Sequence, residues 1–177
     1  MKENLYIYIA IVIILVLLLL TFYVVNVYNK IINYKKKVTY NWSLIDIELK
    51  RKAEVLPNLT SLLKSQMKFE SEELEKLTKL RSKMLNASIN EKIEANEDFN
   101  VLINLIKEGY PSLQSHNSYI KLMDEINDAE KQIAYQRLFY NEMVMSYNRF
   151  IEKFPNNIVA KIFKFSTIEY PTYKVSD

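Results

Sequence analysis

The chain has 177 residues, 24 Lys plus Arg against 21 Asp plus Glu, no cysteine, one histidine and one glycine. Without cysteine there is no disulfide framework, thiolate nucleophile or thiolate metal site, and a single glycine excludes a glycine-rich phosphate cradle. The small net charge of +3 hides a gradient: residues 30–52 hold seven basic and two acidic side chains, and residues 53–177 hold sixteen and eighteen.

The first predicted element is an uncharged run of 21 residues that opens on Leu5 and closes on Val25. As a helix it would be roughly 31 Å long, close to the ~30 Å hydrocarbon core of a bilayer. A cleaved secretory signal would have a shorter apolar core ending in small residues, whereas this run ends Phe22-Tyr23-Val24-Val25. An uncleaved transmembrane helix over residues 5–25 is therefore expected, with Tyr6, Tyr8, Phe22, Tyr23 and Tyr28 as interfacial aromatics. Lys2 is balanced by Glu3, while Lys30, Lys35, Lys36 and Lys37 follow the span without an acid among them. Basic residues stay on the cytoplasmic side, so residues 1–4 are expected outside and residues 26–177 on the inner side of the cytoplasmic (inner) membrane. The same four lysines are candidate contacts for anionic lipid headgroups. A basic stretch beside the bilayer, with no RRM, KH or helix-turn-helix signature, speaks against a nucleic-acid partner.

From Val38 the apolar positions run Trp42, Ile45, Leu49, Ala53, Leu56, Leu59 and Leu63, one stripe of a helix that keeps phase through Pro57. Nothing between the span and Val38 would stop a helix, so anchor and first bundle helix are expected to form one rod. A second pattern holds Met67, Leu74, Leu77, Leu80 and Met84 and fades at residues 86–88. Ser88 with Glu91 offers a capping box for a restart, and Ile93, Phe99, Leu102, Ile103 and Ile106 continue to the stop at Gly109 and Pro111. The third pattern, from Tyr119 through Ile126, Ile133, Tyr140 and Tyr147 to Phe154, predicts a helix of about 35 residues. Residues 158–163 form a short amphipathic segment, and 166–177 an irregular tail.

With few breakers and turn signals, sheet is excluded. The expected fold is all-α: the transmembrane helix, then an antiparallel up-and-down bundle over residues 26–165, with three long helices and a short fourth.

Chemistry is thin. His116 alone supports neither an ordinary zinc site nor the paired Glu-x-x-His of a di-iron bundle, and reads as a loop or cap residue. Asp124, Glu125 and Asp128 lie among Lys121 and Lys131 as a solvated face. Polar residues beside apolar stripes are more informative. Asp46 and Lys50 adjoin Ile45 and Leu49, and Glu130, Arg137 and Asn141 adjoin Ile133 and Tyr140, so a bridge from Arg137 to Asp46 or Glu130 is expected to fix bundle register. No catalytic, cofactor or metal residue is nominated.

Trp42, Asp46, the Leu49-Lys50-Arg51 run and Pro57-Asn58-Leu59, followed in order by Tyr110-Pro111, Arg137 with Tyr140-Asn141, Tyr147-Asn148 and Phe154-Pro155, resemble in type and spacing the signature of the bacterial LemA family. The chain departs from the pattern at Lys52, where the family carries a second arginine, at Glu54-Val55, and at Lys68-Phe69-Glu70, where a His-Glu pair is usual. The resemblance implies an N-terminally anchored cytoplasmic bundle with no cofactor and no established reaction. A non-enzymatic scaffold or adaptor for protein partners is the leading expectation, homo-oligomerisation being compatible with it. The alternative is an anionic-lipid-binding or membrane-remodelling protein that uses the basic juxtamembrane stretch and residues 158–163.

Overall fold

A computed structural model describes residues 2–66 and 71–171; Met67, the Lys68-Phe69-Glu70 triplet and the last part of the expected tail lie outside them. Among the described residues there is no strand. They form five α-helices: α1 (Lys2–Gln66), α2 (Ser71–Asn86), α3 (Ile89–Gly109), α4 (Asn117–Glu152) and α5 (Asn156–Ile162), with a 3-10 turn over Pro111–Ser115. The all-helical fold class expected from the periodicity is what the chain adopts.

The 65-residue α1 is continuous from the apolar run through Pro57. Its N-terminal part is long and apolar enough to cross a membrane, and Tyr6, Leu15 and Leu20 there are exposed. Proline inside a helix removes the bond to the carbonyl four residues back and costs roughly 3 kcal/mol. Here that carbonyl belongs to Ala53, and the Arg81 Nε of α2 donates to it at 3.2 Å. A side chain from a neighbouring helix thus supplies the donor that Pro57 lacks.

The second apolar pattern divides into two helices at Ala87-Ser88. Glu91 accepts from the Ser88 backbone N–H at 2.9 Å and from its hydroxyl at 2.6 Å, and the capping box restarts the chain as α3. These bonds hold the Glu91 carboxyl below the usual carboxylate range. At its far end Tyr110 donates its N–H to Ile106 at 3.0 Å, Pro111 opens the 3-10 turn, and exposed His116 precedes α4, its carbonyl accepting from Ile120.

The chain forms two compact units. One comprises residues 41–141 with 170–171. Its registers give the helix directions. Asp46 and Lys52 of α1 meet Lys92 and Asn96 of α3 in rising order, so these helices run parallel. Lys52 meets Glu130 while the earlier Trp42 meets the later Tyr140, so α4 runs antiparallel to α1. Arg81 of α2 reaches Ala53, well back from the end of α1, so α2 retraces α1; it then packs on α3. The result is an up-down-up-down arrangement around Leu56, Leu59, Leu63, Leu77, Phe99 and Ile103. Each such side chain contributes about 1.5–3 kcal/mol on leaving water.

The other unit comprises residues 2–40 with 142–169. Val27, Ile31 and Val38 of α1 are buried there, as are Val144, Tyr147 and Ile151 of α4 and Val159 and Ala160 of α5. Tyr147 donates its hydroxyl to the Ser166 carbonyl at 3.0 Å, and Asn148 exchanges two 2.9 Å bonds with the Ile168 backbone, which ties down the segment after α5.

Candidate functional site

A polar layer crosses the unit of residues 41–141. Lys52 is wholly buried, and its ammonium donates to Asn96 Oδ1 at 2.8 Å, Asn100 Oδ1 at 2.6 Å and Glu130 Oε2 at 2.7 Å, with the Phe99 ring centroid 4.9 Å away. All three ammonium protons are therefore used. Asn96 also donates to Glu130 at 3.1 Å. Burial pushes the Lys52 pKa below its ordinary value, further than Glu130 restores it, and the charge of Arg137 adds to the depression. Burial would raise the Glu130 carboxyl, but the Lys52 charge and the bonds from Lys52 and the asparagines outweigh it and hold it low.

One turn or more toward the start of α1, Asp46 lies between Lys50 at 2.7 Å and the nearly buried Lys92. Burial raises the Asp46 carboxyl less than its two lysine partners lower it. Arg51 pairs with Asp128 at 2.9 Å on the exposed rim. Trp42, half-buried, meets the buried Tyr140 edge-on with ring centroids 5.8 Å apart.

The candidate residues thus separate. Trp42, Asp46, Lys50, Tyr140 and the Arg137 charge gather along the layer, and Leu49 is buried in the adjoining core. Of the carboxylates expected to meet Arg137, Asp46 is engaged by Lys50 and Lys92, and Glu130 by Lys52. Half-buried Asn141 has a side-chain oxygen with no hydrogen-bond partner among the described residues. Pro57 and Asn58 are exposed, Asn58 lining an open cleft of about 490 Å³ with Ser61, Ser118 and Glu125. Tyr110 and Pro111 serve the α3 stop.

Lys52, Lys92, Asn96, Asn100 and Arg81 were not anticipated. A usable signal existed for Lys52: it stands three residues after Leu49 and four before Leu56, in the apolar seam. Asn96, midway between Ile93 and Phe99, carries the same signal.

In the other unit Lys30, Lys35, Lys36 and Lys37 are all exposed on α1. Lys30 and Lys37 line a cavity of about 280 Å³ with Asn33, Tyr34 and Phe150, and the Lys37 ammonium stands 5.9 Å from the Tyr34 ring centroid. Among the described residues no group of three or more His, Cys, Asp or Glu converges as a metal site.

Fold and layer together define an all-helical protein with one apolar N-terminal helix and a charged, hydrogen-bonded bundle interior. Comparison with known proteins names the class: the LemA family model matches residues 41–177, and the chain belongs to the LemA family. It is 28% identical over 138 residues to Protein LemA of Metamycoplasma hominis, an alignment that takes in 75% of this chain and 63% of that protein. It is also 37% identical over 65 residues to Magnetosome protein MamQ of Magnetospirillum gryphiswaldense, covering 37% of this chain and 24% of that one, and the same figures hold for Magnetosome protein MamQ 2 of Paramagnetospirillum magneticum. The chain therefore spans less than two thirds of the length of these relatives.

Proposed function

We propose that the chain is a non-enzymatic scaffold, held in the cytoplasmic membrane by α1 with its helical body on the cytoplasmic side, and that partner proteins dock on the outer face of α4. One observation carries this reading. Tyr135, Leu138 and Phe139 form a continuous apolar strip on α4, Leu138 being 68% exposed, and the Tyr135 and Phe139 rings lock edge-to-face at 4.9 Å. Isolated exposed apolar residues are ordinary, but a strip of preordered aromatics resembles the anchors that dominate protein interfaces. The one-turn spacing places all three on one side of the helix.

Cross-linking in intact membranes tests it. The native chain should give adducts heavier than the monomer, and Leu138→Glu should lose them while melting at the same temperature. A native chain that stays monomeric and solitary throughout overturns the scaffold reading.

A second reading, anionic-lipid binding, is favoured by the cavity lined by Lys30 and Lys37, two cationic residues beside a space that would admit a phosphate. Each lysine close to an anionic surface contributes about 1 kcal/mol. Under this reading the paired change Lys30→Gln and Lys37→Gln lowers the enrichment of acidic phospholipid that copurifies with the protein; unchanged enrichment removes it.

A further inference from the structure

The apolar run of α1 does not end in open solvent. Tyr6 through Leu20 are exposed all round, but from Tyr23 one side of the helix is covered while Val25 and Asn26 stay exposed: the Tyr23 hydroxyl donates to Asn156 Oδ1 of α5 at 2.9 Å and Tyr28 packs on Phe163 and Phe165 with ring centroids 4.9 and 5.7 Å apart. Asn156 also donates to the Phe150 carbonyl at 3.2 Å, which fixes the turn between α4 and α5 beside the last turn of the run.

Only half of α5 is used by these contacts. Val159 and Ala160 face inward, while Phe154 in the turn is 74% exposed, Ile158 51% and Ile162 65%. Ile158 and Ile162, four apart on α5, share one side of that helix, Phe154 stands exposed in the turn just before it, and Lys153, Lys161 and Lys164 are exposed beside them in the chain. A face of large apolar side chains edged with lysines, fixed where a membrane-crossing helix would leave the hydrocarbon, matches the chemistry of a headgroup layer: apolar residues enter the acyl boundary and ammonium groups meet phosphates.

We propose that α5 and the turn before it form an interfacial collar, with Phe154, Ile158 and Ile162 inserted in the bilayer surface around the exit of α1 and Lys153, Lys161 and Lys164 in the phosphate plane. This rests on the reading that α1 spans the membrane. The collar would set the depth of the span and brace α1 against tilting, since two points of attachment replace one.

The absence of cysteine allows a direct test in the full chain. Phe154→Cys, Ile158→Cys and Ile162→Cys, at exposed positions, are each labelled with a nitroxide and reconstituted in vesicles of phosphatidylcholine and phosphatidylglycerol. Leu15→Cys, within the run, reports on spanning. The expected result is relaxation of all four labels by oxygen, which concentrates in the bilayer, and little relaxation by an aqueous nickel chelate, the collar labels lying about 5–10 Å into the headgroup and acyl boundary. Chelate-accessible labels at 154, 158 and 162 beside a protected Leu15 label overturn the collar and leave the span standing. Collar labels shielded from both reagents show a protein cover instead, and also overturn it. A chelate-accessible Leu15 label removes span and collar together.

Discussion

Lys52 and Glu130 decide how the bundle core is specified. A buried ammonium is tolerable only while its acceptors stay in place, and breaking a buried pair from one side costs about 3–5 kcal/mol. Glu130→Leu, which strands Lys52, should therefore destabilise the full chain in detergent by about that much. Lys52→Met with Glu130→Leu fills similar volume without charge and should return most of the loss, giving a large coupling in urea melts; additive effects would mean that the pair does not act as one. Acid provides a second check. The Glu130 and Asp46 pKa values are depressed in the fold, so their contribution is complete above the ordinary carboxylate range and lost as pH falls through the folded values. Melting temperature should fall steeply below about pH 4, and Glu130→Gln should flatten that slope. The Pro57 site obeys the same accounting of polar groups. Arg81→Met leaves the Ala53 carbonyl without its donor and should cost about 1–3 kcal/mol in the native background, yet little beside Pro57→Ala, where a backbone N–H returns. Equal losses in both backgrounds would refute the compensation. Neither feature was fully legible in the chain alone. Periodicity assigns lysine to the solvent side by default, which hid Lys52 despite its seam position, and nothing local to Arg81 discloses which carbonyl lies opposite it.

Helices were easier to read than their interior polar partners. The apolar run and the Val38-to-Leu63 stripe fuse into α1 because no residue between them breaks a helix, and the 36-residue α4 follows from unbroken three-and-four spacing. The second stretch was legible as a pattern with a fault at residues 86–88. That the fault is a reversal, with α2 and α3 packed on each other, depends on tertiary burial: α2 alone cannot hide Leu77 and Met84. What holds the fault open locally is the Ser88 and Glu91 pair, so Ser88→Ala should cost about 1 kcal/mol, read as a shift in the urea midpoint, and Ser88→Asp should retain most of the stability. A Ser88→Ala variant melting like the native chain would show that packing alone sets the restart.

For the whole molecule, the proposed orientation rests on one asymmetry. Lys30, Lys35, Lys36 and Lys37 stand exposed within about a dozen residues of the apolar run, whereas its other flank offers Lys2 beside Glu3. Retention of lysine on the cytoplasmic side is a matter of count close to the span, so the distribution of charge over the distant helices should not affect it. Asn90→Cys, exposed at the start of α3, reports which side the body occupies. An impermeant maleimide applied to intact spheroplasts should leave it unlabelled and react fully after lysis. Changing the four lysines to glutamine removes the asymmetry without touching the bundle layer around Lys52, and should expose a substantial fraction of Asn90→Cys before lysis. Labelling of the native-flank protein in unbroken spheroplasts would place the body outside and reverse the orientation, whereas an unchanged pattern after the lysine substitutions would show that folding of the helical body, rather than the flanking charge, holds it inside.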